Sequence, residues 1–244
     1  MDSGAVVGAD PSVAPLNDAW QLMTKRLTVP ADRSLTDLAY AYLEEMIVTL
    51  KLAPGATVSE GELSVLTGIG RTPIREALQR LAREKLVSIL PRRGIVVTEI
   101  NVGNQLKLLE VRRELERLIA RSAARRATDA ERERFRELAK LFEKSARAND
   151  DVTFMRTDRE FNTLCSAASH NDFAAGAMSL LHSLSRRFWY IHYKQAADMP
   201  VTAKLHADIA RASADGDEER ATLASERLLD NIEKFTRDTV GADV

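Results

Sequence analysis

The sequence has one cysteine, Cys165, in 244 residues. An intrachain disulfide is therefore excluded, and a reducing cytoplasm is the expected compartment. No apolar run approaches the roughly 20 residues of a membrane span. The N-terminus lacks a basic segment leading into an apolar core, so neither membrane insertion nor secretion is expected. Net charge is also scarce, because 35 Lys and Arg against 36 Asp and Glu leave −1. An architectural binder that coats DNA without reading it needs a positive surplus, and this chain has none. A Gly-rich phosphate loop, an activated nucleophile and a complete set of metal ligands are missing too.

The charge that is present is uneven. Between 71 and 93 stand Arg71, Arg75, Arg80, Arg83, Lys85, Arg92 and Arg93 against Glu76 and Glu84, seven minus two, or +5. A basic stretch on a neutral protein suits selective DNA binding. Within it, Arg71-Thr72-Pro73-Ile74-Arg75-Glu76-Ala77-Leu78 reads as a helix start, with Thr72 as N-cap and Pro73 at the first helical position. Ile74, Ala77, Leu78 and Leu81 form an apolar stripe, and Arg71, Thr72, Arg75 and Gln79 project elsewhere. Isolated arginines on such a helix are more often solvated surface. The flanking sequence argues otherwise. Ser59 with Glu62 makes a capping box, and Gly68 stands where a left-handed cap is needed, so 59–83 reads helix, tight turn, helix. A further helix starts at Ser34 and is expected to bury Leu35, Leu38, Tyr42, Met46 and Leu50. Downstream, Val87–Leu90 and Ile95–Thr98 flank Pro91-Arg92-Arg93-Gly94 and predict a hairpin. Arg92, Arg93 and Gly94 would form a wing tip that meets phosphate or the minor groove. The arginines at the second helix suit guanine, whose O6 and N7 match the guanidinium fork.

Over about 34–100 the chain resembles the GntR family of bacterial transcription regulators. The residues that carry this are Leu52-Ala53-Pro54-Gly55, Leu63, Gly68, the run Arg71–Leu78, Leu81, Leu86-Val87 and Arg93-Gly94. Two positions depart from the family pattern. Gly70 replaces a Ser that usually contacts phosphate, and Gly61 replaces an Arg that contacts DNA in many members.

After a polar link at 99–105, helical spacing takes over. Leu108, Val111, Leu115, Leu118, Ile119 and Ser122 mark one helix; Phe135, Leu138 and Leu141-Phe142 a second; Phe154, Phe161, Leu164 and Cys165 a third. Asn171-Asp172 breaks the chain before a long helix over Ala174–Tyr193. Two more follow, separated by Asp215-Gly216-Asp217. The expected fold class is mainly α, with an N-terminal winged helix-turn-helix and a C-terminal all-α antiparallel bundle. The expected division is a mostly disordered tail over 1–33, a DNA-binding domain over 34–100 and an effector-binding and dimerisation domain over 101–240.

Four polar residues, Arg112, Asp158, Asn162 and His206, interrupt apolar stripes in the bundle. Inward polar groups are costly unless they meet each other, water or a ligand. A structural reading pairs Arg112 with Asp158; a functional reading makes the four a pocket for a small acid, with Arg112 on its carboxylate. Arg186-Arg187 offers further cations for an anion or a subunit contact, while His192 reads as packing or pocket wall. The stretch 104–238 resembles the FCD ligand-binding domain of the FadR-like GntR subgroup, on Glu110–Glu116, Asp158 with Phe161, Ala168-Ser169 with Asn171, His206 with Ile209, and Gly216-Asp217. Many members of that subgroup hold a divalent metal on an Asp, a His four residues later and two further His. The matching positions here are Asp158, Asn162, His206 and Leu228, so no metal and no other cofactor is expected. The expected protein is a cytoplasmic homodimer that binds a pseudo-palindromic double-stranded operator under control of a small, carboxylate-bearing effector. The alternative is an enzyme that uses Asp158, His206 and Arg112 for acid–base work on a small acid.

Overall fold

The computed structural model describes residues 34–91, 93–196 and 198–242. The tail expected over 1–33 and the wing residue Arg92 lie outside the described residues. Among the described residues the chain forms helices α1 (Leu35–Val48), α2 (Glu60–Thr67) and α3 (Arg71–Arg83) with strands β1 (Thr57–Val58), β2 (Val87–Leu90) and β3 (Gly94–Val97). Then follow α4 (Val102–Arg126), α5 (Asp129–Ala148), α6 (Asp151–Ala168), α7 (Asp172–Ala196), α8 (Met199–Asp215) and α9 (Glu218–Ala242).

The first unit packs α1, α2 and α3 under a small antiparallel sheet of order β1-β3-β2. Ser34 caps α1, and Ser59 with Glu62 forms a reciprocal capping box on α2. Gly68 ends α2 at φ +68°, a left-handed turn that costs glycine little. The buried face of α1 differs from the expected one. Met46 is buried as expected and Leu38 and Tyr42 pack at the core's edge, but Leu35 is 58% exposed, and Ala39, Leu43 and Ile47 make the centre of the buried face. Both sets are spaced like a helix face; α3 and α7 pack against this helix and decide which is covered. Strand β1 is too short for alternation to announce it, and it pairs Thr57 with Val96 and Val58 with Ile95. Gly94 sits at φ +89° with Val58 O 3.0 Å from where a Cβ would stand, so only glycine lets the wing turn this close to β1.

The second unit is a six-helix antiparallel bundle, α4 to α9. Its core is aromatic where α5 and α6 meet, with Phe142 5.6 Å from Phe161 and 5.9 Å from Phe154. Elsewhere alanines allow close approach, among them Ala123 on α4, Ala207 and Ala210 on α8 and Ala221 on α9, all fully buried. Helix α4 begins at Val102 with Asn101 as N-cap, inside the stretch expected to be a link, which shortens the connection to 98–101. The same helix buries Gln105, Leu109, Arg112 and Ile119, whereas Val111 is 52% exposed and Leu118 lies at the surface. The apolar residues of α4 thus fall on two faces, of which one is covered.

Helix α7 joins the two units. Its Leu184 packs on the core of the first. Arg186 Nη1 donates to Glu44 Oε1 of α1 at 2.7 Å. Arg187 donates to Thr98 O at 2.9 Å, Thr98 Oγ1 at 3.1 Å and Glu99 O at 3.2 Å. Arg159 of α6 adds ion pairs to Glu44 at 3.8 Å and Glu45 at 3.5 Å.

Candidate functional site

Helix α3, the second of the helix-turn-helix, buries Ile74, Ala77, Leu78 and Leu81 and exposes Arg71, Thr72, Arg75 and Gln79. Its start differs from the sequence reading. Gly70 is the N-cap, with no side-chain cap bond, and Thr72 and Pro73 are the second and third helical residues. Pro73 is still harmless there, because the first helical bond is Ile74 N–H to Gly70 O at 3.3 Å. Arg75 is held by Glu60 of α2 in a two-pronged pair, Nε–Oε1 2.8 Å and Nη2–Oε2 2.7 Å. That bond from Arg75 holds the Glu60 carboxyl below the usual carboxylate range. Arg71 Nη2 lies 3.6 Å from the Cβ position of Gly61, so the missing side chain there leaves the Arg71 guanidinium room. Arg93 is exposed on the wing turn, closed by Arg93 N–H to Leu90 O at 3.1 Å. Tyr40 of α1 braces α3 from behind. Its hydroxyl donates to Glu84 at 2.7 Å, and its ring lies 3.6 Å under the Arg80 guanidinium.

In the bundle, Arg112, Asp158, Asn162 and His206 all line one cavity of about 50 Å³ between α4, α6, α7, α8 and α9. A smaller one of about 30 Å³ adjoins it and shares Arg112, Asn162, His182 and His206. Arg112 and Asp158 do not pair with each other. Arg112 bonds Glu116 of its own helix through Nε at 2.7 Å and through Nη2, and donates to Ser185 Oγ at 2.5 Å. Ser185 also accepts from Gln105 Nε2 at 3.0 Å.

Asp158 Oδ1 faces His206 Nε2 at 3.0 Å and accepts from Asn162 Nδ2 at 3.0 Å. The second nitrogen of His206, Nδ1, faces Thr202 O at 2.8 Å. Both ring nitrogens thus meet oxygen acceptors, and each needs a hydrogen to bond. The Phe142 ring lies 5.0 Å from the His206 ring at 30°, with Phe154 and Phe161 edge-on, so the imidazole is held in an aromatic box. Burial disfavours the Asp158 charge, but the bond and charge of His206, then Arg186 and His182, outweigh it and leave its carboxyl below the usual range.

These contacts decide the metal question. His206 Nε2 is spent on Asp158, Asn162 turns its amide donor to that carboxylate, and Leu228 adds only hydrocarbon to the smaller cavity. Among the described residues no group of three or more His, Cys, Asp or Glu could hold a metal ion. The residues do not fit the family's metal.

Sequence reasoning missed His182 and Ser185, which with Arg186, already noted as a cation for an anion, form the α7 wall of the cavity. Their spacing from 182 through 185 and 186 to Trp189 is a helical face and was readable. The apolar residues Leu181, Leu184 and Phe188 between them hid it. Burial first, and then the Arg112 charge, push the His182 imidazole down to about 4, against Glu116 and Asp158 which favour its proton. An ordinary histidine titrates near 6.5. Between those values the unfolded chain takes a proton that the folded one refuses. Stability should therefore fall by about 3 kcal/mol as pH drops from about 6.5 to 4. Chemical denaturation across that window should show the slope in the native sequence and a flattened one in His182→Gln. Equal slopes would mean that His182 is not the group responsible.

A winged helix joined to a helical bundle defines a class of DNA-binding transcription factor. Residues 35–97 match the description "Bacterial regulatory proteins, gntR family", and residues 107–231 match the FCD domain. The chain belongs to the GntR family of bacterial regulators, in its FCD-containing branch. It is similar to the transcriptional repressor RspR of Escherichia coli K12, 24% identical over 215 residues, covering 88% of this chain and 94% of that one. A Streptomyces ambofaciens regulator in an unstable DNA locus is 47% identical over 62 residues, which spans 26% of that relative and 25% of this chain. The fold is that of Escherichia coli McbR/YncC, at TM-score 0.73 and 19% identity over 85% of this chain and 99% of the other. A GntR regulator from Rhodococcus sp. RHA1 follows at TM-score 0.63 and 19% identity, over 84% and 99%. The protein is a DNA-binding transcriptional regulator, and the enzyme reading of Asp158, His206 and Arg112 is set aside. Among the described residues no helix is long and apolar enough to cross a membrane.

Proposed function

We propose that the protein binds a pseudo-palindromic operator as a homodimer and that a small carboxylic acid in the bundle cavity sets its operator affinity. The observation that carries this is the cavity itself, walled by Arg112, Asp158, Asn162, His182, Arg186 and His206. Its size limits the ligand. A volume of about 50 Å³ has room for roughly three to five waters. An acid of three or four carbons, such as lactate, malonate or succinate, is on that scale. Arg112, Asp158, Asn162 and His206 would bond it, with no metal between. Arg71, Thr72, Arg75 and Gln79 would read bases while the wing residues Arg92, Arg93 and Gly94 meet the backbone. Two linked winged helices gain affinity that one alone cannot. The uncovered face of α4, with Val111 and Leu118, supplies apolar surface for a subunit contact.

The test begins with DNA selected from a random pool by the full chain, followed by titration of the selected site with the three acids. Light scattering should give twice the 27.1 kDa protomer mass, and two protomers should occupy each site. At least one acid should raise the melting temperature and shift operator affinity by about 5- to 150-fold, with or without chelator. A monomer bound one per site would remove the dimer. Stoichiometric zinc, lost on Asp158→Ala, would remove the metal-free acid.

A further inference from the structure

The geometry points to Arg186 as the residue through which cavity and DNA-binding unit communicate: an acid in the cavity takes its guanidinium away from Glu44 and loosens α1 from α7. This rests on the acid-binding reading above and adds the regulation of that site. Arg186 belongs to two places at once. Its side chain lines the cavity. Its Nη1 donates to Glu44 Oε1 at 2.7 Å, and its Nη2 stands 3.6 Å from Glu45 Oε2. Glu44 is 3% exposed, an acid buried at the junction of the two units.

The junction is incompletely satisfied. Arg186 Nε and Glu44 Oε2 are both buried without a hydrogen-bond partner. Such atoms are costly, and an unpaired Nε is a donor open to a second carboxylate. The other cation in the cavity wall is less available, because Arg112 already bonds Glu116 and Ser185. The guanidinium has donors for two carboxylates but only one positive charge, so an acid brought to its free Nε edge repels the Glu44 carboxylate held on Nη1 and competes with it for that charge. The sequence on α6 repeats the arrangement, since Asp158 faces the cavity while the next residue, Arg159, faces Glu44 and Glu45.

Movement at Glu44 reaches DNA through packed parts. On the same helix, Ala39, Leu43 and Ile47 pack in one core with Ile74, Leu78 and Leu81 of α3, and Tyr40 braces Arg80 and Glu84. A shift of α1 therefore carries the recognition helix with it. Arg187, the next residue, grips the connection at Thr98 and Glu99. Because ligand and Glu44 bind Arg186 competitively, the coupling is reciprocal: what weakens one contact strengthens the other.

The experiment uses the full-length protein, calorimetry with lactate, malonate and succinate, and amide hydrogen exchange of the segment 40–50 in α1. Glu44→Gln removes the competing charge and should tighten the best-bound acid about tenfold. Arg186→Gln should weaken it at least tenfold. In the native sequence the acid should speed exchange in 40–50, and in Glu44→Gln that response should vanish. Arg159→Gln loosens the same junction without touching the cavity. It should leave acid affinity within about twofold, which separates competition for Arg186 from a merely weaker junction. If an acid binds and Glu44→Gln changes neither its affinity nor the exchange response, the competition is overturned while the acid-binding reading stands. If no acid binds the native chain or Glu44→Gln, both fall together. Binding seen only in Glu44→Gln supports the competition.

Discussion

Arg71→Ala is expected to lose roughly 10- to 100-fold of discrimination at one base pair of each half-site, because a guanidinium that grips the guanine O6 and N7 edge is the commonest specific contact. Arg75→Ala should lose discrimination at a different base pair, and by less. Its guanidinium is already engaged by Glu60, so contact with a base must replace or share that pair. Arg93→Ala should weaken all sequences alike and flatten the salt dependence, as a phosphate contact does. The measurement is titration against the selected operator with each base pair changed in turn, at two salt concentrations. Arg71→Ala with unchanged base preference would mean that α3 does not enter the groove by its first turn.

The second large effect is on stability. Asp158→Ala takes away the carboxylate that faces both His206 Nε2 and Asn162 Nδ2, and removing one partner of a buried pair costs about 3–5 kcal/mol. The side chains of His206 and Asp158 are only 7% and 14% exposed, so water does little to relieve the loss. Asp158→Leu combined with His206→Leu should recover part of it, because an apolar pair leaves only the Asn162 amide without its partner. Urea unfolding of the three proteins reads this directly. A single Asp158→Ala within about 1 kcal/mol of the native value would show that the pair contributes little. In acid the native pair fails by another route. A depressed carboxyl contributes stability above its unfolded value near 4 and loses it as pH falls through its lower folded value. That loss lies below the His182 window, so the two are separable.

The sequence was most informative where local chemistry decides local structure. The capping box at Ser59 and Glu62 and the left-handed turn at Gly68 are set by neighbours within three or four residues. The six-helix order followed from spacing and from breaks such as Asn171 and Gly216. Long-range packing was not legible. Whether Leu35 or Leu43 faces the core depends on where α3 lies, and whether Val111 or Leu109 does depends on which bundle helices cover α4. The helix start at Arg71 rather than Pro73 is likewise set by the turn from Gly68, not by the cap preference of Thr72. In the cavity, a polar residue on an apolar stripe gave away Arg112, Asp158, Asn162 and His206, while its partner could not be read. Asp158 found His206 across 48 positions of sequence, and Arg112 found Glu116 only one turn away. Residues of the cavity wall on α7 were masked by the apolar face they interleave.

The connection between β3 and α4 is four residues, Thr98 to Asn101. Fully extended it reaches only about 14 Å, and Arg187 fixes its first half. A tether of that length is a ruler. One more base pair between half-sites displaces a landing site by about 3.4 Å along the axis, which the tether can take up, but five displace it by about 17 Å and turn it to the far side of the duplex. For a dimer on a two-part operator, the bundle therefore sets the spacing and helical phase of the sites that can be occupied, and the winged helices choose the letters within them.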